Sequence, residues 1–151
     1  MRLAVGSDER THLTDFLVEE LNKRGHSVSL FGPLRDQSRS WPDVACDVAE
    51  AVARRDADEG ILFCWTGTGV CIAANKVPGI RAALCRDAET AKGARLWNRA
   101  NVLCLSLRAT SEVISNEIVD AWFGTALGED PIDVACVNRL GEIEAKYAGK
   151  S

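Results

Sequence analysis

The run GILFCW at residues 60–65 constrains the fold more than any other stretch. A strand with one wet face alternates apolar and polar residues. This one is apolar almost throughout, so it requires cover on both faces, as a central strand of a parallel sheet does. The rest of the chain supplies the cover. RLAVGS at 2–7, SVSLFG at 27–32, GIRAALC at 79–85 and NVLCLS at 101–106 are further short strand-like runs, and segments of helical period lie between them. Leu13, Phe16, Leu17 and Leu21 form one apolar stripe, and Gly25 is placed to end that helix. In WPDVACDVAEAVARR, Pro42 suits a first helical turn, and Val44, Ala45, Val48, Ala49 and Val52 form its buried face. PLRDQSRS at 33–40 reads as a surface loop, and DAETAKGARLW at 87–97 as the helix before the fifth strand. Helices over about 111–125 and 132–147 end the chain. This alternation predicts an α/β fold in one domain over 1–151, with a five-stranded parallel sheet between helical layers and the last helices at the C-terminus.

Composition narrows the function. With 46% hydrophobic and 26% charged residues the chain has the make-up of an ordinary globular protein. A net charge of -4 with no basic stripe argues against nucleic acid as a partner. The six cysteines form no C-x-x-C pair and have no histidine at ligand spacing, so no metal site is expected. MRLAVGSDE enters a strand at once and no apolar run approaches a membrane span. The expectation is therefore a cytoplasmic protein with reduced thiols and no membrane partner.

The strand GILFCW runs into FCWTGTGVCIAANK, residues 63–76. In an open parallel sheet ligands bind beyond the carboxyl ends of the strands, and Cys64, Thr66, Gly67, Thr68 and Gly69 sit at one such end. Glycines leave the backbone amides unobstructed, and a following helix presents its positive end, so the loop suits an anion or a developing oxyanion. Such surroundings also favour a thiolate. Taken alone, T-G-T-G fits a purely steric strand-to-helix turn equally well, and Cys64 fits a buried apolar thiol. The loop is not a nucleotide P-loop, because G-x-x-x-x-G-K-[ST] is absent and Lys76 lies too far along the helix. Cys71, Cys85 and Cys104 read as core residues.

Residues 60–108, with IAANKVPGIRAAL at their centre, closely resemble the ribose-5-phosphate isomerase B and galactose-6-phosphate isomerase family. GSD at 6–8, WPDVA at 41–45 and LGEIE at 140–144 extend the resemblance over nearly the whole chain. The resemblance implies a Rossmann-like three-layer α/β/α sandwich, a homodimer or tetramer with the active site between subunits, and no cofactor. It also implies aldose–ketose interconversion, in which a base moves a proton between C1 and C2 through an enediolate. Cys64 takes the place of the family's base cysteine, while the glutamate that other members use falls on Val70. By the same resemblance Asp8 binds sugar hydroxyls and Asn98 stabilises the enediolate oxygen. Thr66, Gly67 and Gly69 surround the reacting end of the sugar, and Arg108 reaches the phosphate.

Departures cluster on the ligand side. Where the family has D-H-A-G this chain has DERT, which puts Glu9, Arg10 and Thr11 in the pocket stretch. WNRAN puts Trp97 in place of a histidine and Arg99 in place of an aspartate. IDVAC puts Ile132, Asp133 and Cys136 where phosphate-binding arginines and a histidine are usual, and Trp65 replaces a glycine. Charge-assisted bonds contribute about 1.5–3 kcal/mol each, so two lost arginines predict weak binding of a standard pentose phosphate. The expected function is an isomerase of this type acting on a sugar or sugar-phosphate-like substrate other than plain ribose 5-phosphate. Alternatives are a non-catalytic subunit that complements a homologous chain, or a small-molecule binding protein on the same scaffold. Trp65 and Trp97 either fill the old pocket or offer a stacking platform, and Arg10, Arg99 and Arg108 are candidates for a relocated anion site, with Arg10 and Arg99 otherwise read as solvated charge. His12 is a candidate for the missing pocket histidine, and His26 reads as a surface residue.

Overall fold

The computed structural model describes residues 1–149. Five strands, β1 (Arg2–Ser7), β2 (Ser27–Phe31), β3 (Glu59–Cys64), β4 (Ala82–Leu84) and β5 (Val102–Ser106), pair in the order β2-β1-β3-β5-β4, every pair parallel. The run that demanded double cover has it from Gly60 to Cys64, since all six residues of β3 are buried, and its last residue, Trp65, lies beyond the strand and is exposed. Side chains alternate between two cores. Leu3, Val5, Ile61, Phe63, Leu103 and Leu105 face α1 (His12–Lys23), α4 (Ala88–Leu96) and α5 (Glu112–Gly124). Ala4, Leu62, Cys64, Val102 and Cys104 face α2 (Trp41–Ala53) and α3 (Thr68–Ala74). The three-layer sandwich expected from the sequence is thus the fold.

Three local differences have physical causes. In α1 Thr14 is buried and Phe16 only half-buried. Thr14 takes part in a capping box with Thr11 and donates its hydroxyl to the Thr11 carbonyl at 2.8 Å, so its burial leaves no polar atom unsatisfied. The stretch read as a surface loop is entered by a 3₁₀ turn, Gly32–Arg35. Gly32 starts it at φ +65°, where a Cβ would come within 2.8 Å of the Ser7 carbonyl. The fourth strand is only three residues long. Asn101 Oδ1 accepts from the Arg81 amide at 2.8 Å, and the Asn75 side chain bonds both the amide and the carbonyl of Ala82 at 2.9 Å. The Asn75 side chain thus takes up backbone groups of a sheet edge that another strand would otherwise pair, while Asn101 ties Arg81 to the start of β5.

At the amino end of β3, Glu59 holds Arg95 of α4 at 2.6 Å and accepts from the indole of Trp122 in α5 at 2.6 Å. The last helix, α6 (Pro131–Tyr147), has no buried residue. Its Glu144 accepts from the Gly79 amide at 3.1 Å, while Ile132, Leu140, Ile143 and Tyr147 are exposed along it. No helix among the described residues is long and apolar enough to cross a membrane.

Candidate active site

Chain direction sets where a site can lie. From β1 the chain moves one way to β2 and then the other way to β3, so the helices that follow them leave a crevice at the carboxyl ends of β1 and β3. Ser7 pairs with Phe63, and Cys64 pairs with Ser106. Asp8, Cys64 and Ser106 therefore end three adjacent strands at one level. Buried Ser7 donates its hydroxyl to the Glu9 carbonyl at 2.6 Å and accepts from the Glu9 amide at 3.2 Å, which fixes the turn that carries Asp8. Asp8 is half-buried, and loss of hydration holds its carboxyl above the usual carboxylate range. Glu9 is exposed, and its side chain has no partner among the described residues.

Cys64 closes β3. Its carbonyl accepts from the Leu107 amide at 3.0 Å, and its side chain joins the core that contains Val70 and Ala74, with 6% of the residue exposed. Beyond it Gly67 turns at φ +76°, where a Cβ would meet Leu84 Cδ1 at 2.6 Å and the Leu105 carbonyl carbon at 2.9 Å. The glycine is thus required by both conformation and space. Thr66 and Thr68 share a hydroxyl–hydroxyl bond of 2.7 Å. Gly69 lies under the ring of Trp41, whose Cε3 would be 3.0 Å from a Cβ at that position. Sequence reasoning missed Trp41 as a wall of this loop; its place at the start of α2 in WPDVA was the available signal.

Asn98 is elsewhere. It follows α4, which returns from the carboxyl end of the sheet to the start of β5, and it lines a hollow with Asn75 and Arg81. The length of β5, five residues at about 3.3 Å each, separates that level from the level of Cys64. One chain does not bring Cys64 and Asn98 together. Trp97 lies back on its own helix, with Cζ3 only 2.6 Å from where a Gly93 Cβ would be. Trp65 and Trp97 are each 60% exposed within the chain.

The ribose/galactose isomerase family model matches residues 3–134. The chain belongs to this family. It is 36% identical over 124 residues to a D-erythrulose-4-phosphate isomerase of Pectobacterium atrosepticum, covering 81% of this chain and 82% of the relative. It is 41% identical over 108 residues to ribose-5-phosphate isomerase B of Escherichia coli, covering 72% of each. Its fold superposes on ribose-5-phosphate isomerase B of Clostridium thermocellum with a TM-score of 0.92 at 40% identity, over 98% of this chain and 100% of the other.

Several positions singled out in this isomerase-family chain have other occupations. Arg10 pairs with Asp15 at 2.8 Å and lies 3.8 Å from Asp36. Arg99, at φ +48°, donates to the Gly128 carbonyl at 2.8 Å. Of the three arginines considered for a relocated anion site, only Arg108 has a guanidinium with no partner among the described residues. Arg108 shares a cavity of about 460 Å³ with Thr66, Ser106, Thr110 and Arg86, the last not foreseen from the sequence. His12 bonds Glu112 at 2.6 Å and bridges α1 to α5. His26 is half-buried and stacks on Phe123 with ring centroids 4.6 Å apart. Ile132 and Cys136 are exposed on α6, and Asp133 between them is half-buried.

Cys71, expected in the core, is only half-buried. A hydrogen bond from the Cys104 thiol pulls it down to about 7, and Asn75 Nδ2 adds a contact at 3.7 Å. Cys85 and Cys104 are core thiols, as expected. Burial pushes Cys85 up to about 12 and Cys104 well above the usual thiol range.

Proposed function

We infer that the protein is an aldose–ketose isomerase in which Cys64 moves a proton between C1 and C2 of a sugar phosphate through an enediolate. The observation that carries this reading is the common level of Asp8, Cys64 and Ser106 beside the Thr66–Gly69 loop, in a chain of the ribose/galactose isomerase family. Asp8 binds substrate hydroxyls. Thr66 and the amides around Gly67 and Gly69 surround the reacting end of the sugar, and Arg108 holds the phosphate. Val70, the position of the alternative glutamate base, is fully buried and cannot titrate, which leaves the proton transfer to the thiol.

The working unit is a dimer or a multiple of it, with Asn98 of a second copy stabilising the enediolate oxygen. Support comes from the separation of Asn98 and Cys64 along one chain and from α6, whose exposed apolar residues have no cover within it. Trp97 and Trp65, both exposed, then line the ligand side of a shared cleft, with Glu9 at its rim. The substrate is other than plain ribose 5-phosphate. Its pocket lacks the histidine and two arginines of the usual pattern, and two relatives are D-erythrulose-4-phosphate isomerases, which act on a four-carbon sugar phosphate.

Turnover of tetrose and pentose phosphates by wild type, Cys64→Ala and Asn98→Ala tests the assignment. Each variant alone should be inactive. A 1:1 mixture, unfolded and refolded together, should recover about a quarter of wild-type activity, because half the dimers carry one intact site of two. Unchanged turnover in Cys64→Ala refutes the base, and no recovery on mixing refutes the shared site.

A further inference from the structure

We propose that Arg86 joins Arg108, already read as holding the phosphate, and completes an anion subsite of this protein at the carboxyl ends of β4 and β5. The proposal deepens the isomerase reading and rests on it for the identity of the ligand, but its geometry stands by itself. Leu84 pairs with Cys104, so Arg86, two residues past β4, leaves the sheet level with Ser106, and Arg108 follows two residues later on the neighbouring strand. Both line the cavity of about 460 Å³ whose floor includes Leu84 and whose edge carries Thr66, the first residue of the glycine loop. That volume lies within the range of small-molecule sites.

Neither guanidinium has its terminal nitrogens taken by a carboxylate among the described residues. Arg108 has no partner among the described residues. Arg86 is 90% exposed on its side chain and makes one loose contact, Nε to Asp87 at 3.5 Å, while that carboxylate accepts from the Thr90 amide at 2.7 Å and caps α4. The terminal nitrogens of Arg86 therefore remain free. By contrast Arg2, Arg10, Arg39 and Arg54 each have a carboxylate within 3.1 Å.

The charge around the cavity has one sign. Its walls hold two arginines and no acidic residue. The hollow at Asn98 sets Glu144 against Arg81, that beside α1 sets Asp15 and Glu19 against Arg10, and that at Trp97 holds Glu89. In a protein of net charge -4, a cavity lined by two arginines and by Leu84, Cys85 and Ala109 concentrates positive potential where the glycine loop begins. The planar forks of two arginines suit a tetrahedral dianion, and Thr110, whose hydroxyl has no partner among the described residues, adds a donor at the rim. The site supplies what Ile132 and Cys136 cannot, and it does so from the chain that carries Cys64.

Calorimetric titration with inorganic phosphate tests the site without requiring turnover. Wild type and Cys64→Ala should bind with equal affinity, Arg86→Ala and Arg108→Ala roughly 10- to 100-fold more weakly, and Arg86→Lys in between. All should weaken with added salt. Arg86 is exposed, so these variants fold, and circular dichroism checks it. With a turned-over sugar phosphate, Arg86→Ala should raise KM by the same factor and leave kcat nearly unchanged, since the phosphate lies away from the reacting carbons. Equal phosphate affinity in wild type and Arg86→Ala overturns the proposal, as does a wild type that does not bind phosphate. A protein that isomerises no sugar phosphate yet loses phosphate binding on Arg86→Ala keeps the anion subsite and loses only the isomerase reading.

Discussion

Replacing Glu59 with leucine tests the polar joint beneath the sheet. Glu59 and Arg95 each keep only 9% of their side-chain surface exposed, and their 2.6 Å contact closes a chain that also includes the Trp122 indole and the Ala100 carbonyl, each bonded at 2.6 Å. Arg95 also lies 4.9 Å above the Trp122 ring, and its Nε already lacks a partner. Without Glu59 a guanidinium and an indole N–H remain buried with their main acceptor gone. Breaking a buried pair in this way costs about 3–5 kcal/mol. For a chain of 151 residues that corresponds to a fall in Tm of roughly 6–20 °C. Removing both charges is cheaper. Glu59→Leu with Arg95→Met leaves only the indole and the Ala100 carbonyl to re-pair, so the double variant should recover at least about 2 kcal/mol relative to the sum of the single changes. Urea unfolding of the four proteins at one fixed concentration measures the cycle. A single variant within about 1 kcal/mol of wild type, or a double variant equal to the sum, would refute the reasoning.

Gly67→Ala should cost roughly 1–3 kcal/mol and lower turnover about a hundredfold, because the new methyl meets the Leu105 backbone as well as Leu84; unchanged kinetics would show that the loop adapts. Alkylation followed by mass spectrometry should mark Cys71 with a rate that rises through pH 7 while Cys85 and Cys104 stay unlabelled, and an inflection near the ordinary thiol value would contradict the Cys104 hydrogen bond. Since the folded value of Cys71 is lowered, its contribution to stability is complete above the ordinary thiol range and is lost as pH falls through 7. Gly93→Ala should leave stability within about 1 kcal/mol, helix propensity offsetting lost contact, and should shift tryptophan emission as Trp97 leaves its helix; an unmoved spectrum would count against that packing.

What the sequence made legible was set locally. The apolar run of β3 implied two covers, and the α2 face of Val44, Ala45, Val48, Ala49 and Val52 is buried residue for residue. The glycine loop was recognisable because Gly67 and its neighbours answer to a turn confined to a few residues. What escaped depended on partners distant in the chain. Thr14 is buried with its hydroxyl in a capping box while Phe16 is only half-buried, and the outer edge of the short β4 is met by the side chain of Asn75. Cys71 owes its lowered thiol to Cys104, on a different element. Arg10, a candidate for a relocated anion site, is held by Asp15 and Asp36, and Arg86, which nothing in the sequence singled out, is delivered beside β5 by β4.

The two ends of the sheet divide the polar residues between different tasks, and the division links stability to chemistry. At the amino end Glu59, Arg95 and Trp122 are closely paired and tie β3, α4 and α5 together. At the carboxyl end the side chains of Arg108 and Thr110 have no partner among the described residues and Arg86 has only the Asp87 contact at 3.5 Å, which leaves them to the proposed anion subsite. α4 connects the two. It starts beside the anion cavity at Asp87 and ends at Trp97, just before Asn98, and Arg95 in its last turn is the residue Glu59 grips. In the proposed dimer Asn98 serves the other copy, so the Glu59–Arg95 joint of one chain fixes the position of an oxyanion donor in its partner's site. A helix end displaced by as little as 1 Å there is enough to cost about a hundredfold in rate. Loosening the joint should therefore lower kcat before it unfolds the protein, although no residue of the joint touches substrate.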